Sequence, residues 1–171
     1  MKKENYLQGN SEHPAHVSVG AVVRNANGEI CCHHFIKDNL SGYWVDENLD
    51  DFYLLMRETM HPNETLEEAL HRGLMEEFGI TTTLDTYIGS IQSHFTHKGV
   101  TIEKTTLYFL CTLVSQDLSK RDTADVEGKT DVEWHTMDFL IPKMKMQAKK
   151  FGRTDVDESL ILERFKSTFG I

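Results

Sequence analysis

The chain is short of cysteine, of basic residues relative to acidic ones, and of long apolar runs, and each shortage closes off a class of protein. Its three cysteines, Cys31, Cys32 and Cys111, are an odd and sparse set. They do not form the disulfide framework of a small secreted domain, and a reducing, cytoplasmic compartment is the expectation. No stretch approaches the roughly 18 apolar residues that a spanning helix needs, so no membrane span is expected. Two lysines follow Met1 with no apolar stretch behind them, so a signal peptide is not expected either. Lysine and arginine total 18 against 27 acids, for a net charge of −9. That balance opposes non-specific binding to DNA or to an anionic membrane surface. It leaves open small phosphorylated substrates, which a metal ion can bring to an acidic site.

At 171 residues, 39% of them hydrophobic, the chain is long enough to bury a core and suits one domain. Residues 1–14 are polar and read as an N-terminal arm, and residues 15–171 as the domain. His16 to Val23 is rich in β-branched residues and predicts a strand. Asn27-Gly28 is a hairpin signal, and Glu29 to Ile36 predicts the returning strand. Lys37 to Asp51 reads as a loop that contains Tyr43 and Trp44. Phe52 to Met56 predicts a short strand, Thr81–Gln92 and Lys104–Val114 two longer ones linked by His94 to Ile102, and Asp131–His135 another short one. Met137–Lys150 and Asp157–Phe169 predict helices. No internal repeat or low-complexity tract is present. The order implies an α/β fold, a mixed sheet flanked by helices.

The best-defined element lies between Thr65 and Gly79. Thr65 and Glu68 have capping-box spacing. Leu66, Ala69, Leu70, Leu74 and Phe78 recur at helical spacing, and Gly79 is placed as a left-handed stop. Glu76 and Glu77 follow each other on the last turn. Successive helical residues point about 100° apart, so two neighbouring carboxylates can flank one edge. Hard oxygen donors of this kind suit Mg²⁺ or Mn²⁺ and not zinc. Arg72, four residues before Glu76, can steady that carboxylate.

The segment Glu58 to Ile80, E-T-M-H-P-N-E-T-L-E-E-A-L-H-R-G-L-M-E-E-F-G-I, resembles the box of the Nudix (MutT-like) hydrolases, G-x5-E-x7-R-E-U-x-E-E-x-G-U, where U is a bulky aliphatic residue. Glu64, Arg72, Leu74, Glu76, Glu77, Gly79 and Ile80 match, seven of nine defined positions, and the whole register is far more specific than an acidic helix end alone. The likeness extends, less sharply, over about residues 15 to 145. It implies a Nudix fold and Mg²⁺-dependent (or Mn²⁺-dependent) hydrolysis of a diphosphate linkage in a nucleotide-type substrate. It implies Glu76 and Glu77 as metal-holding catalytic residues, an Arg72–Glu64 pair that locks the preceding loop onto the helix, and, as in many relatives, a homodimer.

Two positions depart from the box. Its leading glycine is Glu58, at a place where glycine would allow positive φ. The glutamate after the arginine is Gly73, which removes one carboxylate from a cluster of three on one helix face. Glu127 lies where family members often place an extra catalytic glutamate and is the foremost substitute, as metal ligand or base. Asp125, Asp131, Glu103 and Glu58 itself are the others. The two departures also support an alternative in another class, a catalytically silent Nudix-fold module that senses nucleotides or binds a partner. A Nudix-fold isomerase is a weaker third reading, because no reactive cysteine stands at a pocket-forming position.

Other features have plainer readings. Cys31-Cys32-His33-His34 alternates faces along a strand and cannot surround one tetrahedral ion. His94 and His97 read as ordinary polar loop residues. The lysines at 143, 145, 149 and 150 read as a solvated helix face. Tyr43 and Trp44 either cap the core or stack on a nucleobase. His61, in the loop before the helix, stands where a substrate phosphate would lie.

Overall fold

The computed structural model describes residues 8–10, 12–40, 49–124 and 127–169. Before the first strand, Asn10 folds the chain back by accepting the amides of Glu12 and His13 on its side chain. The Gly9 amide donates to Nδ1 of His16 at 3.2 Å.

Strand β1 (Ala15–Arg24) and β2 (Ile30–Phe35) form the expected opening hairpin. Asn25 shapes the turn, its side chain accepting from the amides of Asn27 and Glu29, while Gly28 takes φ 81°. Gly28 alone is left-handed in this turn, so Asn27-Gly28 works through a glycine bulge and not a primed two-residue turn.

The single strand expected over Phe52–Met56 is two strands, β3 (Phe52–Leu54) and β4 (Met56–Thr59). β3 pairs with β2 and β4 with β1, so the chain changes neighbour at Leu55. The Leu55 amide donates instead to the buried carboxylate of Glu158 at 2.6 Å.

Helix α1 (Leu66–Phe78) has both arms of the Thr65–Glu68 capping box, and Gly79 ends it at φ 62°. Ala69, Leu70, Leu74 and Phe78 are fully buried, whereas Leu66, expected on the same stripe, is 39% exposed. In the first turn the stripe has not yet reached the sheet.

The segment expected to link two strands, His94 to Ile102, is strand almost throughout. β5 (Ile80–His97) and β6 (Val100–Gln116) run to a two-residue turn at Lys98 (φ 50°) and Gly99 (φ 78°). Positive φ at both central residues matches the twist of the flanking strands. Lysine is an uncommon residue there, which hid the turn in the sequence.

β7 (Asp131–His135), α2 (Met137–Phe151) and α3 (Ser159–Phe169) follow, within two residues of expectation. Among the described residues the sheet has seven strands, in the order β3-β2-β1-β6-β5, with β4 against β1 and β7 against β2. β1 and β6 are parallel and the other pairs antiparallel.

The alternation of each strand sorts the core into two layers. Val19, Ala21, Val23, Cys31 and Met56 pack under Leu70, Leu74 and Phe78 of α1. Val22, Ile30, Cys32 and Leu55 pack under Leu140 and Met144 of α2 and Leu162 and Phe165 of α3. Cys31 and Cys32 therefore serve opposite layers, and all three cysteines are free and buried.

Two buried polar side chains tie the second layer to the sheet. The Gln147 amide accepts from the Tyr53 amide at 2.9 Å and donates to the carbonyls of Tyr53 and Val156, each at 2.7 Å. Glu158 accepts from Leu55 and from the Tyr108 hydroxyl, and Arg57 lies 3.7 Å away. Among the described residues no helix is long and apolar enough to cross a membrane.

Candidate active site

Arg72 organises the outer edge of α1. Its Nε donates to Glu64 Oε1 at 2.8 Å and its Nη2 to Glu64 Oε2 at 3.0 Å, a two-point fork that only a guanidinium supplies. Nη2 also donates to the Thr59 carbonyl at 2.9 Å, and Nη1 to Glu76 Oε2 at 3.2 Å. Nη1 pairs in addition with Glu58 Oε2, again at 3.2 Å. One side chain thus joins β4, the loop before α1 and the last turn of α1. The Arg72 bonds and the His61 amide hold the Glu64 carboxyl at about 2, far below its usual range. The expected Arg72–Glu64 pair is present in full.

Glu76 and Glu77 diverge, as neighbours on a helix must. Glu76 turns outward to Arg72, with 45% of its side chain exposed. Glu77 turns inward and is buried, where its Oε2 lies 2.6 Å from Nε2 of His33. His33 Nδ1 is 2.6 Å from the Thr130 hydroxyl. Burial, with Arg121 and Arg57 nearby, holds the His33 ring well below its ordinary pKa. The Thr130 hydroxyl in turn donates to the Glu127 carbonyl at 2.7 Å, so the ring links the buried end of α1 to the turn that carries Glu127.

Glu127 begins a short 3₁₀ turn, Glu127–Lys129. Arg121 bonds that turn to the helix end, donating to the carbonyls of Glu77, Glu127 and Thr130. Gly79 permits the close approach on which this depends, because a Cβ there would lie 2.2 Å from the Asp117 carbonyl oxygen.

His33, Thr130 and Arg121 were not among the residues the sequence pointed to. His33 was hidden in a strand, and the loop holding the other two carries no periodic signal. The side chain of His61 is exposed, and its backbone amide donates to Glu64 at 2.9 Å. Tyr43, Trp44 and Asp125 lie outside the described residues. Glu103 is exposed opposite His94 on the β5–β6 hairpin, and Asp131 is exposed at the start of β7. Glu103 and His94 line a groove with Gln92, Thr101 and Lys104, and this groove includes none of Glu76, Glu77 and Glu127.

The two departures from the box meet in space. Gly73 is buried against β4, and a Cβ built on it would lie 2.6 Å from Cβ of Glu58, 3.0 Å from its Cγ and 3.0 Å from Sδ of Met56. Glu58 is itself an ordinary strand residue, opposite Val19 in β1. Its φ is not positive, so a glycine is not required there. Burial raises its carboxyl against the opposing pull of Arg72.

The donors at this edge are carboxylate oxygens, the chemistry of a magnesium or manganese site. Glu58 and Glu76 point at the same guanidinium nitrogen and so lie side by side. Among the described residues no three His, Cys, Asp or Glu side chains are already gathered around one point. Mg²⁺ needs no such cage, because it keeps several waters and takes oxygens from substrate phosphates beside one or two carboxylates. The residues present fit that ion.

A mixed sheet between two helical layers, with an arginine-braced acidic helix on one face, defines an α/β sandwich with a helix–loop acidic site. A family model for the NUDIX domain matches residues 14–154, and the chain belongs to the Nudix family, whose hydrolases act on nucleoside diphosphate-linked compounds. Among solved structures, a NUDIX hydrolase from Nitrosomonas europaea superposes with a TM-score of 0.63 at 18% identity, over 88% of each chain. A MutT protein from Methanosarcina mazei Go1 gives 0.59 at 19% identity, over 95% of this chain and all of the other. An Ap4A hydrolase from C. elegans, in a binary complex, gives 0.57 at 16% identity, over 90% of this chain and 97% of the other. These similarities show the shared fold. The search of curated proteins found no match.

Proposed function

We propose that this chain hydrolyses a diphosphate linkage in a nucleoside diphosphate derivative, with Mg²⁺ or Mn²⁺ as cofactor. The observation that carries the reading is the Arg72 brace, which fixes Glu64, Glu76 and the end of β4 in one constellation on α1. Glu76 and Glu77 hold the ion. Arg72 and Glu64 keep the loop and helix in register, and His33 orients the Glu77 carboxylate from behind. Glu127 is a further ligand or the base that takes a proton from water, on a turn that Arg121 fastens to the helix. A bound ion would neutralise charge developing on the phosphate oxygens and lower the pKa of water. His61 reaches toward the substrate phosphates, and the loop Lys37–Asp51, with Tyr43 and Trp44, selects the nucleoside. The silent-module alternative rested on Gly73 and Glu58, and their contact weakens its ground.

The test is phosphate release from a panel of nucleoside diphosphate derivatives, coupled to a phosphatase, across Mg²⁺ and Mn²⁺ concentrations. Metal-dependent turnover that disappears in Glu77→Gln supports the reading. A wild-type protein silent across the panel, yet shifted in melting temperature by a nucleotide in EDTA, would replace it with the binding module.

A further inference from the structure

We propose that Glu58 and Gly73 are a reciprocal exchange, in which Glu58 on β4 supplies to the metal site the carboxylate that α1 lacks at position 73. This assignment rests on the metal-dependent hydrolase reading above and names the third acidic ligand of the same site.

The first ground is space. The Cβ that residue 73 lacks would overlap the Cβ and Cγ of Glu58, at 2.6 and 3.0 Å. The Glu58 stem therefore occupies the volume through which a side chain on residue 73 would leave the helix. The crowding comes from the stem and not from a mobile tip, so the two positions cannot both carry a glutamate without displacing β4 from α1.

The second ground is where the carboxylate ends. Glu58 Oε2 and Glu76 Oε2 both lie 3.2 Å from Nη1 of Arg72, so the head group of Glu58 sits beside that of Glu76 on the active edge. Its side chain keeps 17% of its surface open to solvent, so it is not sealed inside the core. Glu58 and Glu76 place two carboxylates on this edge, one delivered by the strand and one by the helix, with Glu77 behind them.

The third ground is the cost of Gly73. Glycine inside a helix is disfavoured by about 1 kcal/mol relative to alanine. Leu74 and Ala69 show that the surrounding helix otherwise uses good helix formers. A buried glycine directly under the Glu58 stem has a reason to be there, because no other residue clears that stem.

The experiment measures Mn²⁺ affinity, by electron paramagnetic resonance of the unbound ion, together with melting temperature and turnover. The proteins are wild type, Glu58→Gln, Gly73→Glu and the double exchange Glu58→Gly with Gly73→Glu. Glu58→Gln keeps the packed stem and removes only the charged head. It is expected to bind Mn²⁺ at least about tenfold more weakly. Gly73→Glu alone is expected to melt well below wild type, and the double exchange to recover both the melting temperature and the Mn²⁺ affinity. A merely structural Glu58 would leave Mn²⁺ affinity unchanged in Glu58→Gln, and that result overturns the assignment without touching the hydrolase reading. A folded double exchange that stays weak for Mn²⁺ overturns the reciprocity, as does a Gly73→Glu variant as stable as wild type. Wild type that binds no Mn²⁺ at millimolar concentration sinks the assignment and the hydrolase reading together. Wild type that binds Mn²⁺ through Glu58 but turns nothing over supports the ligand and removes only the hydrolase.

Discussion

Nε2 of His33 lies 2.6 Å from Oε2 of Glu77, and this contact joins the second strand of the sheet to the last turn of the acidic helix. Both groups are buried, and the Thr130 hydroxyl completes the chain on the far side of the ring. Replacing His33 with leucine removes one hydrogen-bond partner from the buried Glu77 carboxyl and one from the Thr130 hydroxyl, which keeps its bonds to the Glu127 carbonyl and to Arg121. A buried polar group left without its partner costs about 1–3 kcal/mol, more if charged. Urea denaturation of His33→Leu should show a loss of at least that size, and Mn²⁺ should bind about 10–100-fold more weakly. A stable variant with unchanged Mn²⁺ affinity would mean that His33 does not orient Glu77.

Arg72→Lys tests whether geometry or charge holds the brace. Lysine keeps the charge but cannot reach Glu64 with two parallel donors while also serving Glu58, Glu76 and the Thr59 carbonyl. The groups are only partly buried, so the expected stability loss is moderate, about 1–3 kcal/mol. Arg72→Ala should lose more than Arg72→Lys. Equal stability in all three proteins would show that the brace is ornamental to folding.

Gly73→Ala sets helix propensity against packing. Propensity favours alanine by about 1 kcal/mol. The added Cβ, 2.6 Å from the Glu58 stem, opposes it by about 1–3 kcal/mol, the usual cost of overpacking. The net expectation is destabilisation, relieved when Glu58→Gly is added. Thermal melts of the four proteins in that cycle measure the coupling, and additive effects would refute it.

The His16 ring gives a pH signature. Burial, then the charge of Lys104, lowers its pKa from 6.5 to about 4. Nδ1 accepts from the Gly9 amide and has no room for a second proton, while Nε2 faces the hydroxyls of Ser18 and Thr59. Between pH 6.5 and about 4 the unfolded chain binds a proton at His16 that the folded chain does not, so stability falls as pH falls through that window. Below about 4 both states are protonated and the loss is complete. Denaturation midpoints across the window should drop less steeply in His16→Gln than in wild type. Parallel curves would place the acid sensitivity elsewhere.

Much of the architecture is local and was readable from residue order. Thr65, Glu68 and Gly79 specify the two ends of α1 through bonds within a few residues of themselves. The apolar period of Ala69, Leu70, Leu74 and Phe78 names the face it buries. Arg72 finds Glu64 and Glu76 at short separations along the chain, so that brace was legible as well. The strand break at Leu55 was not, because it is set by Glu158, 103 residues away. The Lys98-Gly99 turn was hidden by a residue type that rarely takes positive φ.

The acidic helix, its caps and its arginine follow from residue order alone, since helical periodicity brings together side chains three and four residues apart. Which groups stand behind and across from that helix is set by the packing of distant segments. His33 reaches Glu77 across 44 residues, and Arg121 closes on the helix end across the same separation. Glu58 and Gly73, two separate anomalies along the chain, become one contact when β4 lies against α1. Side chains on different elements meet only after the sheet and helix have packed, and no local spacing rule contains that geometry.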